Sequence, residues 1–190
     1  MIEVKNISKA YDGKTILEDI SFSVNKGECV ALTGASGAGK TTLMRIIAGL
    51  EKPDSGEVKI NESIRKTYVF QENRLLENKT VLENILAVAP DKNKALYFLE
   101  RCFLLDDKDK KAGHLSGGMK RRLAIARALS YGGELYFFDE PLRELDGDTL
   151  KAVAALIKEE IHGKTALFIT HDEFSLDFIC DRKIEITNKS

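Results

Sequence analysis

The sequence has no long apolar run, few cysteines and almost no excess of either charge. No stretch approaches the roughly 18 apolar residues of a membrane-spanning helix, and the first five residues do not have the pattern of a signal peptide. Cys29, Cys102 and Cys180 are scattered and odd in number, which indicates buried thiols in a reducing compartment rather than a disulfide framework or a metal site. The 29 Lys and Arg against 30 Asp and Glu leave a net charge of −1, which excludes a global basic field for nucleic acid. We therefore expect a cytoplasmic protein that reaches a membrane only through a partner.

The length and hydrophobic content of the chain suit one well-packed domain. Its 190 residues are 43% hydrophobic, which suits a single domain or one domain with a small insert. Residues 2–7 and 20–24 alternate apolar and polar side chains and predict half-buried antiparallel strands. Later apolar strands alternate with helical patterns, which predicts an α/β fold with a mainly parallel sheet. The predicted parts of the single domain, 1–190, are a core over about 1–71 and 132–190, which includes the N-terminal antiparallel part, and a helical insert over about 72–131.

One stretch has a spacing that makes its chemistry specific. Gly34–Thr42 fits the pattern G-x-x-x-x-G-K-[ST] at each fixed position, between an apolar strand and a helical pattern. Glycines let successive backbone N–H groups point into one concavity in front of a helix N-terminus, which suits a polyphosphate. Lys40 adds a positive charge for the β and γ phosphates, and the hydroxyl of Thr41 is placed for Mg²⁺. The predicted phosphate-binding residues are Gly34, Ala35, Ser36, Gly37, Ala38, Gly39, Lys40, Thr41 and Thr42.

Polar groups follow the ends of three further predicted strands. The carboxyl ends of parallel strands meet at one edge of a sheet, where ligands bind, so we expect Gln71, Asp139, Glu140 and His171 to converge on Lys40. Asp139 is expected to hold Mg²⁺ through water and Glu140 to polarise the attacking water. The two adjacent carboxylates could instead cap a neighbouring helix.

A second element with phosphate-binding character lies in the helical insert. Leu115-Ser116-Gly117-Gly118-Met119 precedes a helical run, so Ser116 can be a simple N-cap. Exposed N–H groups at a helix start would also bind phosphate. Because this element lies away from the first phosphate loop, it suggests a site completed on another subunit.

Together these motifs resemble the ATP-binding subunit of an ABC transporter, over about residues 2–187. Gly34–Thr42 resembles the Walker A motif, Gln71 the Q-loop glutamine, and the stretch from Leu115 to Met119 the family signature. The segment 135–139 followed by Glu140 resembles Walker B and the catalytic glutamate, and His171 resembles the switch histidine. The resemblance implies catalytic roles for Glu140, His171, Gln71 and Lys40, and metal binding by Thr41, Gln71 and Asp139. Tyr11, which on local sequence alone could be a plain strand-end aromatic, falls where the family has its adenine-stacking residue.

The resemblance implies a phosphate-loop NTPase core and a head-to-tail dimer that binds two MgATP. Each ATP would lie between Walker A of one copy and Ser116 and Gly118 of the other, the other copy being identical or a homologous cassette. The resemblance also implies separate transmembrane permease subunits, a peripheral position on the inner face of the cell membrane, and no nucleic-acid partner. The sequence of residues 71–76 and 80–84 is similar to that of the nitrate, sulfonate and taurine importer branch. This similarity implies an extracytoplasmic solute-binding protein as a further partner.

One loop departs from the family pattern. Ser-Ala-Leu-Asp usually follows Walker B, whereas this chain has Arg143-Glu144-Leu145-Asp146. Asp146, expected at the dimer interface, is kept, but two small residues are replaced by long charged ones. Two alternatives to a transport ATPase remain: a non-transport ABC ATPase acting on DNA or ribosomes, and a degenerate regulatory nucleotide-binding subunit.

The sequence also suggests where a membrane partner would dock. Leu75 and Leu76 are neighbouring apolar residues in an otherwise polar segment. They either fold into the local core or contact a partner helix in a groove between the core and the helical insert.

Overall fold

Strands and helices follow each other in the order expected of an α/β chain in the computed structural model, which describes residues 2–61 and 63–187. The strands are β1 (Ile2–Tyr11), β2 (Lys14–Val24), β3 (Cys29–Thr33), β4 (Ser55–Lys59), β5 (Lys66–Val69), β6 (Leu135–Asp139), β7 (Thr165–Ile169) and β8 (Arg182–Glu185). The helices are α1 (Lys40–Ala48), α2 (Val81–Leu86), α3 (Lys92–Arg101), α4 (Gly117–Tyr131), α5 (Gly147–Glu160) and α6 (Glu173–Ile179), with single 3₁₀ turns at Leu105–Asp107 and Ala112–His114.

The N-terminal part is an antiparallel sheet in the order β2-β1-β4. β1 and β2 form a hairpin whose two-residue turn, Asp12-Gly13, has φ values of 49° and 78°, as a tight hairpin turn requires. Both strands are longer than predicted, because their pairing continues through register shifts. Asn6 and Asp19 lie in the left-handed region near these shifts. Such irregularities interrupt the period of two, so the alternation is visible only in pieces of each strand.

The central sheet is parallel, in the order β5-β6-β7-β3-β8. All five residues of β6 and all five of β7 are buried, because both faces of the sheet are covered. Tyr136 and Phe138 pack on one face with α2 to α5, and Leu135 and Phe137 pack on the other with α1, β1 and β2. The predicted α/β fold, with its parallel sheet, N-terminal antiparallel part and helices, is confirmed.

The helices of the insert pack on each other and on the sheet. α2 begins with a capping box, in which the Thr80 side chain accepts from the Glu83 N–H and the Glu83 carboxylate accepts from the Thr80 N–H. Asn84 is buried and bonds the backbone of Leu76 and Thr80, which fixes the segment before α2. Because these helices share one hydrophobic cluster with β6 and β7, the division into core and helical subdomain stays a prediction. Within 2–61 and 63–187, no helix is both long and apolar enough to cross a membrane.

Candidate functional site

The loop between β3 and α1 depends on glycine at two close approaches. Gly34 has a φ of 136°, and a Cβ there would lie 2.3 Å from the carbonyl oxygen of Ile186. Gly39 caps α1 with a φ of 85°, and its Cβ would lie 2.7 Å from Cδ2 of Leu17. Both positions have a positive φ, which favours glycine; a Cβ at Gly34 would collide with backbone, and one at Gly39 would displace side chains of the hairpin. The loop is therefore fixed between the hairpin on one side and the segment after β8 on the other.

Lys40 is buried at the base of this loop. Its Nζ donates to the carbonyl oxygens of Gly34 at 2.9 Å and Ala35 at 2.8 Å, so the loop backbone holds the ammonium group. Since Lys40 is the first residue of α1, its charge adds to the positive end of the helix dipole. The two together favour an anion in front of the loop.

A hydroxyl and a carboxylate meet beside the loop. Oγ1 of Thr41 donates to Oδ1 of Asp139 at 3.1 Å, and the hydroxyl of Tyr68 lies 3.4 Å from Oδ2. Burial raises the pKa of Asp139, an effect that the hydrogen bond from Thr41 opposes. Hydroxyl and carboxylate oxygens are the ligands that Mg²⁺ prefers. The residues present therefore fit a magnesium ion held by Thr41 and Asp139, with the side chain of Gln71 lining the same cleft.

Glu140 and His171 form a second polar pair. Nε2 of His171 lies 3.3 Å from Oε1 of Glu140. Glu140 has a φ of 51°, and its N–H donates to the carbonyl of Ile169 at 2.8 Å, which anchors it to the end of β7. Burial raises the pKa of the Glu140 carboxyl group, and the nearby His171 partly offsets this effect. A carboxylate with a raised pKa is a stronger base, which suits proton abstraction from water.

These groups line one cleft with a volume of about 330 Å³. Its lining residues are Tyr11, Ile16, Ser36, Gly37, Gly39, Lys40, Thr41, Thr42, Gln71, Asp139, Glu140, Ile169 and His171. The expected convergence of strand ends is therefore present in the fold. Gly34, Ala35 and Ala38 belong to the same loop but do not line the cleft, and the segment 115–119 and Asp146 lie outside it. The roles assigned to these residues stay predictions.

Tyr11 lies at the rim of the cleft. It is 43% exposed, its hydroxyl donates to the carboxylate of Glu51, and the Nζ of Lys9 lies 5.4 Å from the ring centroid. The hydroxyl is thus tethered while the ring borders the cleft. This arrangement offers a face on which a planar base could stack.

The segment before α4 has the geometry of a helix cap. Ser116 is the N-cap of α4, and its hydroxyl oxygen accepts from the N–H of Met119 at 3.3 Å. Ser116 and Gly117 are exposed, whereas the side chain of Leu115 is buried in the cluster around α4. Leu115 thus supports the segment from within, and its contact with a nucleotide stays a prediction.

Comparisons with known proteins agree with this geometry. A family model described as ABC transporter matches residues 17–143, two thirds of the chain. The chain belongs to the ABC transporter family. The chain is 38% identical to the aliphatic sulfonates import ATP-binding protein SsuB 1 of Shouchella clausii, with all of this chain and 78% of that protein covered. It is also 38% identical to the methionine import ATP-binding protein MetN 4 of Oceanobacillus iheyensis, with 99% of this chain and 63% of that protein covered.

Two further similarities bear on the state and the class of this cassette. The energy-dependent translational throttle protein EttA of Haemophilus influenzae is 38% identical over 94% of this chain, which spans only 33% of that protein. A solved dimeric post-hydrolysis state of an ATP-binding cassette, bound to ADP and Pi, has a TM-score of 0.88 at 29% identity and covers 98% of this chain and 94% of its own. The expected family, its importer relatives and its class of enzyme, the ABC ATPases, are confirmed.

Arg121, which no sequence motif marks, joins the segments that carry the motifs of the cassette. It is 2% exposed, and its guanidinium donates to the carbonyl oxygens of Phe70, Gln71, Asp139, Glu140 and Pro141 at 2.5–3.3 Å. Burial lowers its pKa to about 10, so it stays charged at neutral pH. Arg121 therefore connects α4 to the segments that hold Gln71 and Glu140. The sequence feature that could have revealed Arg121 is a charged residue at a core-facing position of α4, between the signature and Leu123.

Proposed function

We propose that the cassette binds ATP with Mg²⁺ in the 330 Å³ cleft and hydrolyses it. The observation that carries this proposal is that Lys40, the Thr41–Asp139 pair and the Glu140–His171 pair line a single cleft. Each supplies one part that phosphoryl transfer to water needs: a cation for the phosphates, oxygen ligands for a metal, and a base. Only their placement around one space makes the three parts useful together.

Each of these cleft residues has its own role in the proposed hydrolysis. Lys40 leaves the carbonyls of Gly34 and Ala35 and bonds phosphate oxygens. Thr41 and Asp139 hold Mg²⁺, which when bound neutralises charge on the phosphates. Glu140 accepts a proton from water as the water oxygen bonds the γ-phosphorus, and ADP leaves as the bond to its β-phosphate oxygen breaks. His171, 3.3 Å from Oε1, keeps the Glu140 carboxylate in position.

The cassette is also proposed to work as a head-to-tail dimer, with itself or with a homologous cassette. Ser116 and Gly117 are exposed at the start of α4 but lie outside the cleft of their own chain. In a second copy facing the first, this helix start would close over the γ-phosphate through Ser116 and Gly118, and Asp146 would lie at the interface. Support comes from the cassette of known structure that is dimeric with ADP and Pi bound.

Glu140→Gln tests both parts of this proposal. The amide keeps the size of the side chain but cannot accept the proton, so we expect turnover to fall roughly 10²–10⁴-fold while ATP binding persists. The variant should then accumulate as a dimer in gel filtration with MgATP and elute as a monomer without it. Glu57→Gln, which alters an exposed carboxylate on β4 outside the cleft, should keep turnover near that of the parent. An unchanged rate in Glu140→Gln contradicts the assigned base, and a monomer in MgATP contradicts the composite site.

A groove beside the Q-loop is proposed as the docking surface for a permease. A concavity of about 230 Å³ runs between β5 and α4 and is lined by Phe70, Asn73, Val88, Ala128 and Tyr131, among others. The groove predicted from the sequence also lies between the core and the helical insert. Leu75 and Leu76, however, do not line this concavity. A short amphipathic helix fits such a groove. Because Phe70 immediately precedes Gln71, a helix there would sense the state of the cleft.

Val88 offers a test of docking, since it lines this groove and is 39% exposed. Val88→Glu puts a charge into the groove and should abolish association with permease subunits while leaving ATPase activity intact. Phe103→Glu is the matched control, because Phe103 is 57% exposed but lies outside the groove. Normal permease association of Val88→Glu contradicts the docking surface without affecting the ATPase assignment.

The names of the relatives favour import. SsuB 1 and MetN 4 are import ATP-binding proteins, so we propose an importer at the inner face of the cell membrane that works with an extracytoplasmic solute-binding protein. The similarity to EttA favours a second candidate, a non-transport cassette. Sedimentation of the tagged protein from cells separates the two: an importer subunit fractionates with membranes, and a translation factor fractionates with ribosomes.

A further inference from the structure

The loop after β6 places an acidic side chain against the start of α4. Oε2 of Glu144 lies 2.5 Å from the position that a Cβ on Gly117 would occupy, and the carbonyl oxygen of Glu144 lies 3.0 Å from the equivalent position on Gly118. The carboxylate therefore lies beside the first turn of α4, and a larger residue at position 117 would displace it from this place. This is the same turn that Ser116 caps.

The backbone of this loop is anchored, whereas the Glu144 side chain is exposed. Glu144 has a φ of 66°, and the Leu145 N–H closes the turn onto the carbonyl of Leu142, which is buried. Upstream, Arg121 holds the carbonyl groups of residues 139–141. The side chain of Glu144 itself is exposed to solvent. It can therefore rotate away from α4 without a change in the backbone that carries Asp139 and Glu140.

We propose that Glu144 is an internal anion that competes with the nucleotide of the partner copy for the start of α4. This rests on the proposed function, in which Ser116 and Gly118 bind the γ-phosphate held by the other copy. A carboxylate and a phosphate are both attracted by the exposed N–H groups of a helix N-terminus, and they repel each other. Glu144 must therefore rotate out before two copies close on ATP. It raises the ATP concentration at which the dimer forms.

The expected change in the dimer dissociation constant follows from the interaction of a negative charge with the N-terminus of α4. A charge at a helix N-terminus changes an equilibrium roughly twofold to fivefold when it is surface-exposed, and Glu144 is exposed. A head-to-tail dimer contains two such sites. Neutralising Glu144 in both copies should therefore tighten the dimer roughly fourfold to 25-fold, if the two sites contribute independently.

The experiment uses the full chain with Glu140→Gln as the parent, because this variant is expected to bind ATP without hydrolysing it. Sedimentation velocity with MgATP gives the dimer dissociation constant of the parent, of the parent with Glu144→Gln, and of the parent with Asp148→Asn. Glu144→Gln keeps the side-chain size and removes the charge, and should lower the constant roughly fourfold to 25-fold. Asp148→Asn removes the same charge from an exposed position in the first turn of α5, and should change it less than roughly twofold. Glu144→Ala should act in the same direction as Glu144→Gln.

The outcomes separate this proposal from the one on which it rests. A parent that stays monomeric in MgATP overturns the composite site and, with it, the role of Glu144. A parent that dimerises while Glu144→Gln dimerises equally or less well overturns the role of Glu144 alone. ATP affinity measured on the monomer, at protein concentrations well below the dimer constant, should not change in Glu144→Gln. A change there would place Glu144 in the cleft of its own chain and would also overturn the proposal.

Discussion

Replacing Arg121 by lysine tests whether one guanidinium group holds the catalytic segments together. Six acceptors lie within hydrogen-bond distance of its nitrogens: five carbonyl oxygens and Oδ1 of Asn73. Lysine keeps the positive charge but has only three N–H donors on one atom. At least three contacts are therefore lost in Arg121→Lys, and their acceptors lose a buried donor.

The magnitude follows from these contacts. At about 1–1.5 kcal/mol for each lost hydrogen bond, Arg121→Lys should lower the free energy of unfolding by roughly 3–4.5 kcal/mol. Total stabilities are about 5–15 kcal/mol, so the variant still folds unless the parent is at the low end. With a urea m-value of about 2 kcal/mol/M, the midpoint of urea unfolding should fall by about 1.5–2.3 M. Turnover should fall roughly tenfold or more, because Glu140 loses its fixed position.

Arg122→Lys is the control on the same helix. Arg122 is only partly buried, and its Nη1 donates to two carbonyl oxygens, those of Cys102 at 2.7 Å and Phe103 at 2.8 Å. A single ammonium group can keep both bonds, so the loss should stay below about 1 kcal/mol, with turnover unchanged. If Arg121→Lys unfolds at the same urea concentration as Arg122→Lys, the proposed bridging role of Arg121 is refuted.

Four further substitutions examine the cleft and the segment that follows Gln71. Lys40→Ala should weaken ATP affinity roughly tenfold to a hundredfold in calorimetry, because a charge-assisted contact to phosphate is lost; equal affinity would contradict the phosphate-loop assignment. Asp139→Asn should raise the melting temperature of the nucleotide-free protein, since burial raises the Asp139 pKa and the ionised group therefore costs stability above that pKa. This gain should shrink as pH falls through the raised pKa of Asp139 towards the ordinary carboxyl range, and a gain independent of pH would contradict its electrostatic origin. Leu75→Ser should cost roughly 1–3 kcal/mol because Leu75 packs on the core, whereas Leu76→Ser should cost under about 0.5 kcal/mol because Leu76 is 47% exposed; equal urea midpoints would contradict this difference.

The parts of the fold that the sequence predicts are those where one physical requirement dominates. The phosphate loop needs glycine, lysine and a hydroxyl at fixed spacing, so Gly34–Thr42 could be assigned from residue types alone. β6 and β7 are buried on both faces and therefore appear as continuous apolar runs. β1 and β2 were predicted too short, because register shifts near Asn6 and Asp19 break the alternation on which the assignment depended.

The parts that sequence reasoning could not supply depend on contacts between distant segments. Nothing local shows that Arg121 lies against the carbonyl groups of two other segments, 50 residues upstream and about 20 downstream. The neighbouring leucines, Leu75 and Leu76, have the same chemistry but opposite environments, since only the path of the backbone decides which one faces the core. The contact of Glu144 with Gly117 likewise needs the fold, although the unusual loop sequence marked the position.

The strand order of the central sheet has a consequence for synthesis on the ribosome. β3, which carries the phosphate loop, pairs only with β7 and β8 in the described residues, more than 130 residues later in the chain. Both edges of β3 therefore stay unpaired while the intervening residues leave the ribosome, at about 5–20 residues per second. The β1–β2 hairpin, by contrast, can close at once. During those seconds the nascent chain exposes an apolar strand that can pair wrongly, so a ribosome stalled before residue 165 should present a chain that binds no nucleotide and attracts chaperones.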